Sequence, residues 1–473
     1  MDMAPQVIPI APKASKPTSS LSIADTALGE FLMNEDGIAL AFAKLHRGRL
    51  LYDHHACHWF VWTGSVWKME ETQLAFEWAR KTCRAIAGKL EPDDKLKHVL
   101  ARASVSSAVE RFAKADRDFA VDAGVWDKNP WLLGTPDGTI DLRTGDLREA
   151  DPSDRITKMA AVAPAAPGTQ HPLWTMFLRQ ATNQDPELQA FLQRLAGYIL
   201  TGDVTEETLA FLYGDGGAGK GTFINVIVSI LADYGISVPI EVFTAGSRIN
   251  LEYYRAQMAG ARLVTASETE QGATWAESQI KEMTGNEAPL SGRHAYGKVF
   301  NFWPQFKIIL IGNHAPKLKG RSKAMERRLR IVPFKHKPAN PDETLKERLK
   351  AEYPAILRWM IEGCLEWQHD RLGSARAIDA ASGAYFEQQD TLGHWMEERC
   401  LTGDTLSEKR ATLYTDFVAW TKGNGETAMA SSDFKEAIDR TPGLRSVKLN
   451  GNRIVRGIGL KVDMSEQSRR YAD

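Results

Sequence analysis

Nine residues near the middle of the chain, Gly214-Asp-Gly-Gly-Ala-Gly-Lys-Gly-Thr222, have the composition of a loop that holds phosphate. Successive backbone N–H groups can face one anion only where side chains do not crowd them. Gly214, Gly216, Gly217 and Gly219 meet that need, and a lysine must then reach the outer phosphates. Lys220 is that lysine. The apolar run Leu209–Tyr213 before the loop reads as a strand, and 222–233 after it as an amphipathic helix. A glycine-rich turn with an incidental lysine would not require those flanks. The residue after Lys220 is Gly221, where Ser or Thr commonly follows, so Thr222 is the nearest hydroxyl for Mg²⁺.

Phosphate held in a loop is cleaved only with help. Hydrolysis needs a carboxylate at the end of a neighbouring strand, to orient water and handle Mg²⁺. Leu263-Val-Thr-Ala-Ser-Glu268 supplies one, with Glu270 two residues on. In isolation such a pair reads as a solvated turn; downstream of the glycine loop, Glu268 is the candidate for activating water. Another apolar run, Phe306–Ile311, ends in Gly312-Asn313-His314. Asn313 can there hydrogen-bond the attacking water or the outermost phosphate, although asparagine at such a tip often serves only the turn.

Net charge is −1, so any polyanion must be met by a local patch. From Pro289 to Pro338 there are twelve Lys and Arg residues against one acid, Glu326. Such a run is usually a solvated face, but this one spans strands and an expected hairpin, Arg293-His-Ala-Tyr-Gly-Lys298. Phosphate contacts of this kind give sequence-independent, salt-sensitive DNA binding. An arginine here could also act in trans on a neighbouring subunit's nucleotide, with Arg327 and Arg328 as candidates.

The elements that position these residues can be read in outline. A length of 473 residues suggests roughly two to four domains, and 43% hydrophobic with 25% charged residues fits a globular chain. Nowhere do about 18 apolar residues run together, so no membrane span is expected. Cys57, Cys83, Cys364 and Cys400 form no CxxC pair, which fits free thiols in a reducing, cytoplasmic setting. Residues 1–20 read as a flexible tail, and 21–165 as an α+β domain. That domain has a helix from Leu21 to about Leu45, an aromatic strand meander over 50–69, helices at 71–89 and 94–114, and tight hairpins between Trp131 and Leu147. Two helices over 166–200 form a collar or linker, the second starting at Asp185-Pro186. Residues 201–340 alternate strands and helices as in a parallel sheet. Residues 341–398 read as helical, and 399–473 as a winged-helix-like unit. In that unit Ser431-Ser432 caps a helix, and a hairpin over 447–456 turns on Asn450-Gly451.

In the order Gly214–Thr222, Leu263–Glu268, Ile280–Gly285, Arg293, Phe306–Asn313 and Arg327-Arg-Leu-Arg-Ile-Val-Pro-Phe334, the chain resembles the superfamily 3 helicases. More closely, it is similar to the helicase half of phage and plasmid primase–helicase proteins, a group with poxvirus relatives. The resemblance implies an α/β P-loop, AAA+-type ATPase core with an N-terminal α+β domain and a C-terminal winged helix. It implies ATP and Mg²⁺ as cofactors, single-stranded or forked duplex DNA as partner, and a homo-oligomer, usually a hexamer. It implies a bacterial host cell, phage or mobile-element origin, and no membrane. By motif, Gly214, Gly216, Gly217, Gly219, Lys220, Gly221 and Thr222 hold ATP, and Lys220, Glu268 and Asn313 act on it. Arg328, just before Leu-x-Ile-Val, is the arginine finger. The resemblance points Arg293, His294 and Lys298 at DNA in a central channel, and assigns Mg²⁺ to Thr222 and Glu268. Ser267 departs from the pattern, since many members place a second acid there.

No cluster of carboxylates able to hold two metals is evident before the ATPase segment, so primer synthesis is assigned to a separate primase or polymerase, if any. His54, His55, Cys57 and His58 crowd together, but strand alternation would point them to opposite faces, and packing is the favoured reading. Lys435, Arg445, Lys448, Arg453 and Arg456 could touch DNA from the C-terminal unit. Two other classes remain open from sequence. The Gly-Lys-Gly-Thr form occurs in small nucleotide kinases, and an origin-binding scaffold could use ATP only for assembly.

Overall fold

The computed structural model describes residues 33–267, 273–295, 297–318, 322–338, 341–425, 428–449 and 452–461. The expected tail, the start of the first helix, Glu268, Glu270 and the Asn450-Gly451 turn lie outside the described residues.

The chain enters through α1 (Glu35–His46), capped by the Asn34 side chain, which accepts from Gly37 N at 2.9 Å. Strands β1 (Leu50–Asp53), β2 (His58–Trp62) and β3 (Trp67–Met69) form the expected meander. Helices α2 (Leu74–Ala87), α3 (Lys95–Leu100) and α4 (Ala103–Ala115) follow, and β4 (Ala120–Val121) pairs parallel to β1. The helix expected over 94–114 is broken at 101–102. Leu100 and Val105 are both buried, yet five residues apart they would lie roughly 140° apart on one continuous helix, so the break brings both inward. Phe42, Trp59 and Phe119 anchor this core.

Strands β5 (Leu132–Thr135), β6 (Gly138–Asp141) and β7 (Asp146–Arg148) are antiparallel neighbours. Sequence groups them with the N-terminal region. Their Leu133, Ile140 and Leu142 instead pack into a central core shared with α5 (Pro172–Ala181) and α6 (Pro186–Leu200). Asp185 caps α6 as expected, accepting from Glu187 N and Leu188 N.

A five-stranded sheet follows, with β8 (Leu209–Tyr213), α7 (Lys220–Leu231), β9 (Gly235–Ser237), α8 (Leu251–Met258), β10 (Leu263–Ser267), α9 (Glu277–Thr284), a hairpin of β11 (Leu290–Arg293) and β12 (Val299–Phe302), then β13 (Lys307–Gly312), α10 (Lys323–Arg328) and β14 (Leu329–Pro333). The order is β14-β8-β13-β10-β9, parallel throughout. Both faces are covered. Ala210 and Leu212 join the central core, whereas Leu209 and Phe211 join a second core with Trp275 and Met325.

The lower edge of the sheet, where its strands begin, is tied to distant loops. Arg262 is fully enclosed and donates to Pro130 O at 2.9 Å. Lys307 donates to Thr201 O at 2.5 Å and lies 4.4 Å from the Tyr198 ring. Burial holds the Lys307 ammonium well below the usual lysine range.

Helices α11 (Leu345–Leu349), α12 (Tyr353–Asp370) and α13 (Arg376–Gln388) return over the central core. The C-terminal unit runs α14 (Thr391–Arg399), β15 (Cys400–Lys409), α15 (Arg410–Gly423), α16 (Ser431–Arg440), β16 (Arg445–Leu449) and β17 (Asn452–Leu460), with sheet order β15-β17-β16. Trp395 of α14 packs with Phe417 and Phe434, so α14 contributes to this core rather than to the preceding helices. Ser431 and Ser432 do not cap α16. Its N-cap is Ala430, with no side-chain hydrogen bond, because the serines already lie in the first turn. Among the described residues, no helix is long and apolar enough to cross a membrane.

Candidate active site

β8 lies between β14 and β13, and the glycine loop leaves its upper end to enter α7. Gly214 has φ 147°, and a Cβ there would come 1.8 Å from Phe334 O, so only glycine fits. Gly219, at φ 93°, immediately precedes α7. Lys220 is 6% exposed. Its ammonium donates to Gly214 O, to Asp215 O at 2.9 Å and to Asn313 Oδ1 at 3.0 Å. Burial lowers its pKa, against the opposing pull of Asp215. These are donor-to-carbonyl contacts that an entering phosphate can replace, with the loop N–H groups and the N-terminus of α7 beside it.

Gly216, Gly217, Gly219, Lys220, Gly221, Thr222 and Asn313 line one cavity of about 560 Å³. Gly214 does not line it; its role is the close approach to Phe334. Sequence reading missed the opposite wall, formed by Met176, Phe177 and Gln180 of α5 together with His336, Pro338 and Leu345. No motif marks it. Helix α5 is held in place non-locally: the Glu352 carboxylate accepts from Leu173 N at 3.0 Å and Trp174 N at 2.9 Å, and Trp174 stacks on Phe223 of α7.

Strand register places the other expected residues. Gly312 pairs with Tyr213, bringing Asn313 beside the loop. Ser267 pairs with Ile311, so β10 ends one strand farther from β8. Glu268 follows Ser267 directly but lies outside the described residues. Thr222 is half-buried on the cavity wall. Among the described residues, no group of three or more His, Cys, Asp and Glu could hold a metal. Of the two residues expected to serve Mg²⁺, only the Thr222 hydroxyl can be placed, on the wall of this cavity.

Arg328 sits at the lower edge, because Leu329 pairs with Leu209 at the start of β8. A five-residue strand separates that edge from the glycine loop by roughly 13–17 Å, so Arg328 does not reach this chain's own cavity. Its guanidinium turns inward, donating to Glu207 Oε2 at 2.5 Å and Thr284 Oγ1 at 3.2 Å. The neighbouring Arg327 is exposed.

Arg293, His294 and Lys298 are exposed on the β11–β12 hairpin, as expected. His294 stacks on Phe300 (5.3 Å between ring centroids), and His55 meets Phe300 edge-on. This contact accounts for one member of the His54–His58 group; His54 Nε2 lies 2.8 Å from Lys114 O. The basic stretch is not all surface, since Lys307 and Arg328 are buried. Lys435, Arg445, Lys448, Arg453 and Arg456 are exposed.

Residues 39–183 match the family described as "D5 N terminal like", and 212–328, which span the glycine loop, the hairpin and Arg328, match a family of unknown function. The chain is 25% identical over 238 residues to a putative helicase of Acanthamoeba polyphaga mimivirus, covering 49% of this chain and 25% of that protein. It is 24% identical over 263 residues to a putative helicase of Frog virus 3 (isolate Goorha), covering 51% and 27%. Both relatives carry the name putative helicase, and both are viral. This chain spans about a quarter of the length of these two relatives. Its fold is similar to that of the NrS-1 C terminal region in two apo structures. Both have TM-score 0.51 and 10% identity, covering 88% of this chain and 98% of that one, and 89% and 99%.

Proposed function

We propose that this chain is an ATP-driven helicase of the phage and plasmid primase–helicase type, with an AAA+-type P-loop core and a winged-helix C-terminal unit. The observation that carries the reading is the contact of Lys220 with Asn313 across a cavity walled by the glycine loop. Loop N–H groups and Lys220 would hold the phosphate tail of ATP, and bound Mg²⁺ would neutralise charge on it. Glu268 would accept a proton from water, while Asn313 orients that water or the outermost phosphate.

With this chain's Arg328 at the lower edge, an arginine-finger role for it would be exercised on a neighbouring subunit's nucleotide. That supports a ring, for which a hexamer is the expected form. In it, Arg293, His294 and Lys298 on the hairpin would grip single-stranded DNA through its phosphates. The exposed cations of the C-terminal unit would meet duplex at a fork, and any primase or polymerase would be a separate partner.

ATP hydrolysis with and without single-stranded DNA, run alongside mass measurement of the assembly and strand displacement on a forked duplex, tests this. Stimulation by DNA and ATP-dependent displacement by an oligomer are expected. Intact oligomers that hydrolyse ATP without displacing a strand would reduce the protein to an assembly ATPase.

A further inference from the structure

The segment leaving β14 doubles back over the glycine loop. Phe334 O lies against Gly214, and three residues later the side chain of Lys337 crosses Gly217. A Cβ built on Gly217 would stand 2.9 Å from Lys337 Cε, 3.7 Å from Cγ and 3.9 Å from Cδ. The missing Cβ is therefore what lets the aliphatic stem of Lys337 lie on the loop backbone. Both neighbours of Lys337, His336 and Pro338, line the same cavity as Lys220 and Thr222. Lys337 is exposed, and its ammonium has no ion pair or hydrogen bond among the described residues. Lys220, by contrast, is enclosed beneath the loop and bound to its carbonyls.

We propose that Lys337 is a second phosphate-directed cation of the same subunit, closing from above over the outer phosphates of a nucleoside triphosphate seated in the loop. This rests on the nucleotide-binding reading of the loop. The loop N–H groups and Lys220 grip the tail from one side and leave the other open. A flexible ammonium anchored by its stem on Gly217 meets the added negative charge of the terminal phosphate, so it favours triphosphate over diphosphate. It needs no partner subunit, which separates its role from that of an arginine supplied in trans.

Direct binding of ATPγS and of ADP to the full chain, by calorimetry, tests the assignment with Lys337→Met and Lys337→Arg. Methionine keeps an unbranched apolar stem over Gly217 and removes the charge; arginine keeps the charge. Lys337→Met is expected to weaken ATPγS binding roughly tenfold and ADP binding less than about threefold, with an unchanged unfolding midpoint. Lys337→Arg should retain most of the triphosphate preference. Equal ATPγS affinity in wild type and Lys337→Met would overturn the Lys337 assignment alone, and so would parallel losses for ATPγS and ADP. A wild-type chain that binds neither nucleotide would overturn the nucleotide reading with it.

Discussion

The ammonium of Lys220 lies 3.0 Å from Oδ1 of Asn313, joining the loop after β8 to the tip of the adjacent strand. One residue is expected to bind phosphate and the other to respond to it, and the strand order makes them neighbours. Lys220→Ala should therefore abolish nucleotide binding, ATP hydrolysis and unwinding together. Asn313→Ala should leave nucleotide affinity within a few-fold and lower turnover by roughly 10²-fold, as removal of a polar group aimed at developing charge does. Steady-state hydrolysis paired with equilibrium binding distinguishes the two. Loss of binding in Asn313→Ala would make the asparagine a structural clasp.

Arg328 is expected to serve the neighbouring subunit's site, yet Glu207 and Thr284 hold it within its own chain. Arg328→Ala should eliminate hydrolysis while nucleotide still binds, and it should also lower stability by about 1–3 kcal/mol, since buried hydrogen bonds are lost. Arg327→Ala, at an exposed position, should do neither. Mixing Lys220→Ala with Arg328→Ala subunits should restore part of the turnover, because some interfaces then pair an intact lysine with an intact arginine. If Arg327→Ala is the dead variant, the role moves to Arg327.

Gly221 and Thr222 separate the usual hydroxyl position from the one present. A Cβ at Gly221 meets nothing within 4 Å, so Gly221→Ser should fold normally. It should gain about 0.5 kcal/mol or more, because glycine weakens a helix. Thr222→Ala should reduce Mg²⁺-dependent nucleotide binding roughly tenfold, and adding Gly221→Ser should recover some of it. Binding titrations with and without Mg²⁺ read this out. If Thr222→Ala leaves the Mg²⁺ dependence intact, the threonine is not a ligand. Gly214→Ala, with Phe334 O in the way, should instead fail to give a stable fold.

His46 gives the N-terminal core a pH response. Burial, reinforced by Arg49, lowers its pKa from 6.5 to about 4, and its ring packs against Phe42 and Trp78. The unfolded chain then binds the extra proton between those values. Stability is present above about pH 6.5, is lost as pH falls toward about 4, and levels off below. The loss amounts to about 3 kcal/mol at most, at ~1.4 kcal/mol per unit. Thermal unfolding at about pH 7.5 and pH 5 should show a smaller difference in His46→Phe than in wild type; equal differences would place the response elsewhere.

Much of this was legible where structure is local. The glycine loop, the strand before it, the Asp185 cap and the 290–302 hairpin each declare themselves within a few residues. Long-range packing hid the rest. Nothing near Leu173 announces that Glu352 will cap α5, so the wall of Met176 and Phe177 could not be read. Lys307 and Arg328 belong to a basic stretch that looks solvent-facing, and only the partners Thr201 and Glu207 draw them inside. Lys337 belongs to the same basic stretch, and only the contact of its stem with Gly217 sets it apart from the surface charges around it.

Arg262 immediately precedes β10 and Lys307 opens β13, each directing a buried side-chain donor to a loop carbonyl, Pro130 O and Thr201 O. The sheet is thereby bolted at its base to segments that precede it in the chain, while its opposite rim carries the glycine loop and Asn313. The base serves as a fixed reference frame. The parts free to respond to anything bound at the rim are then those attached there, above all the return segment through Lys337 and helix α9, which leads from the side of β10 to the hairpin.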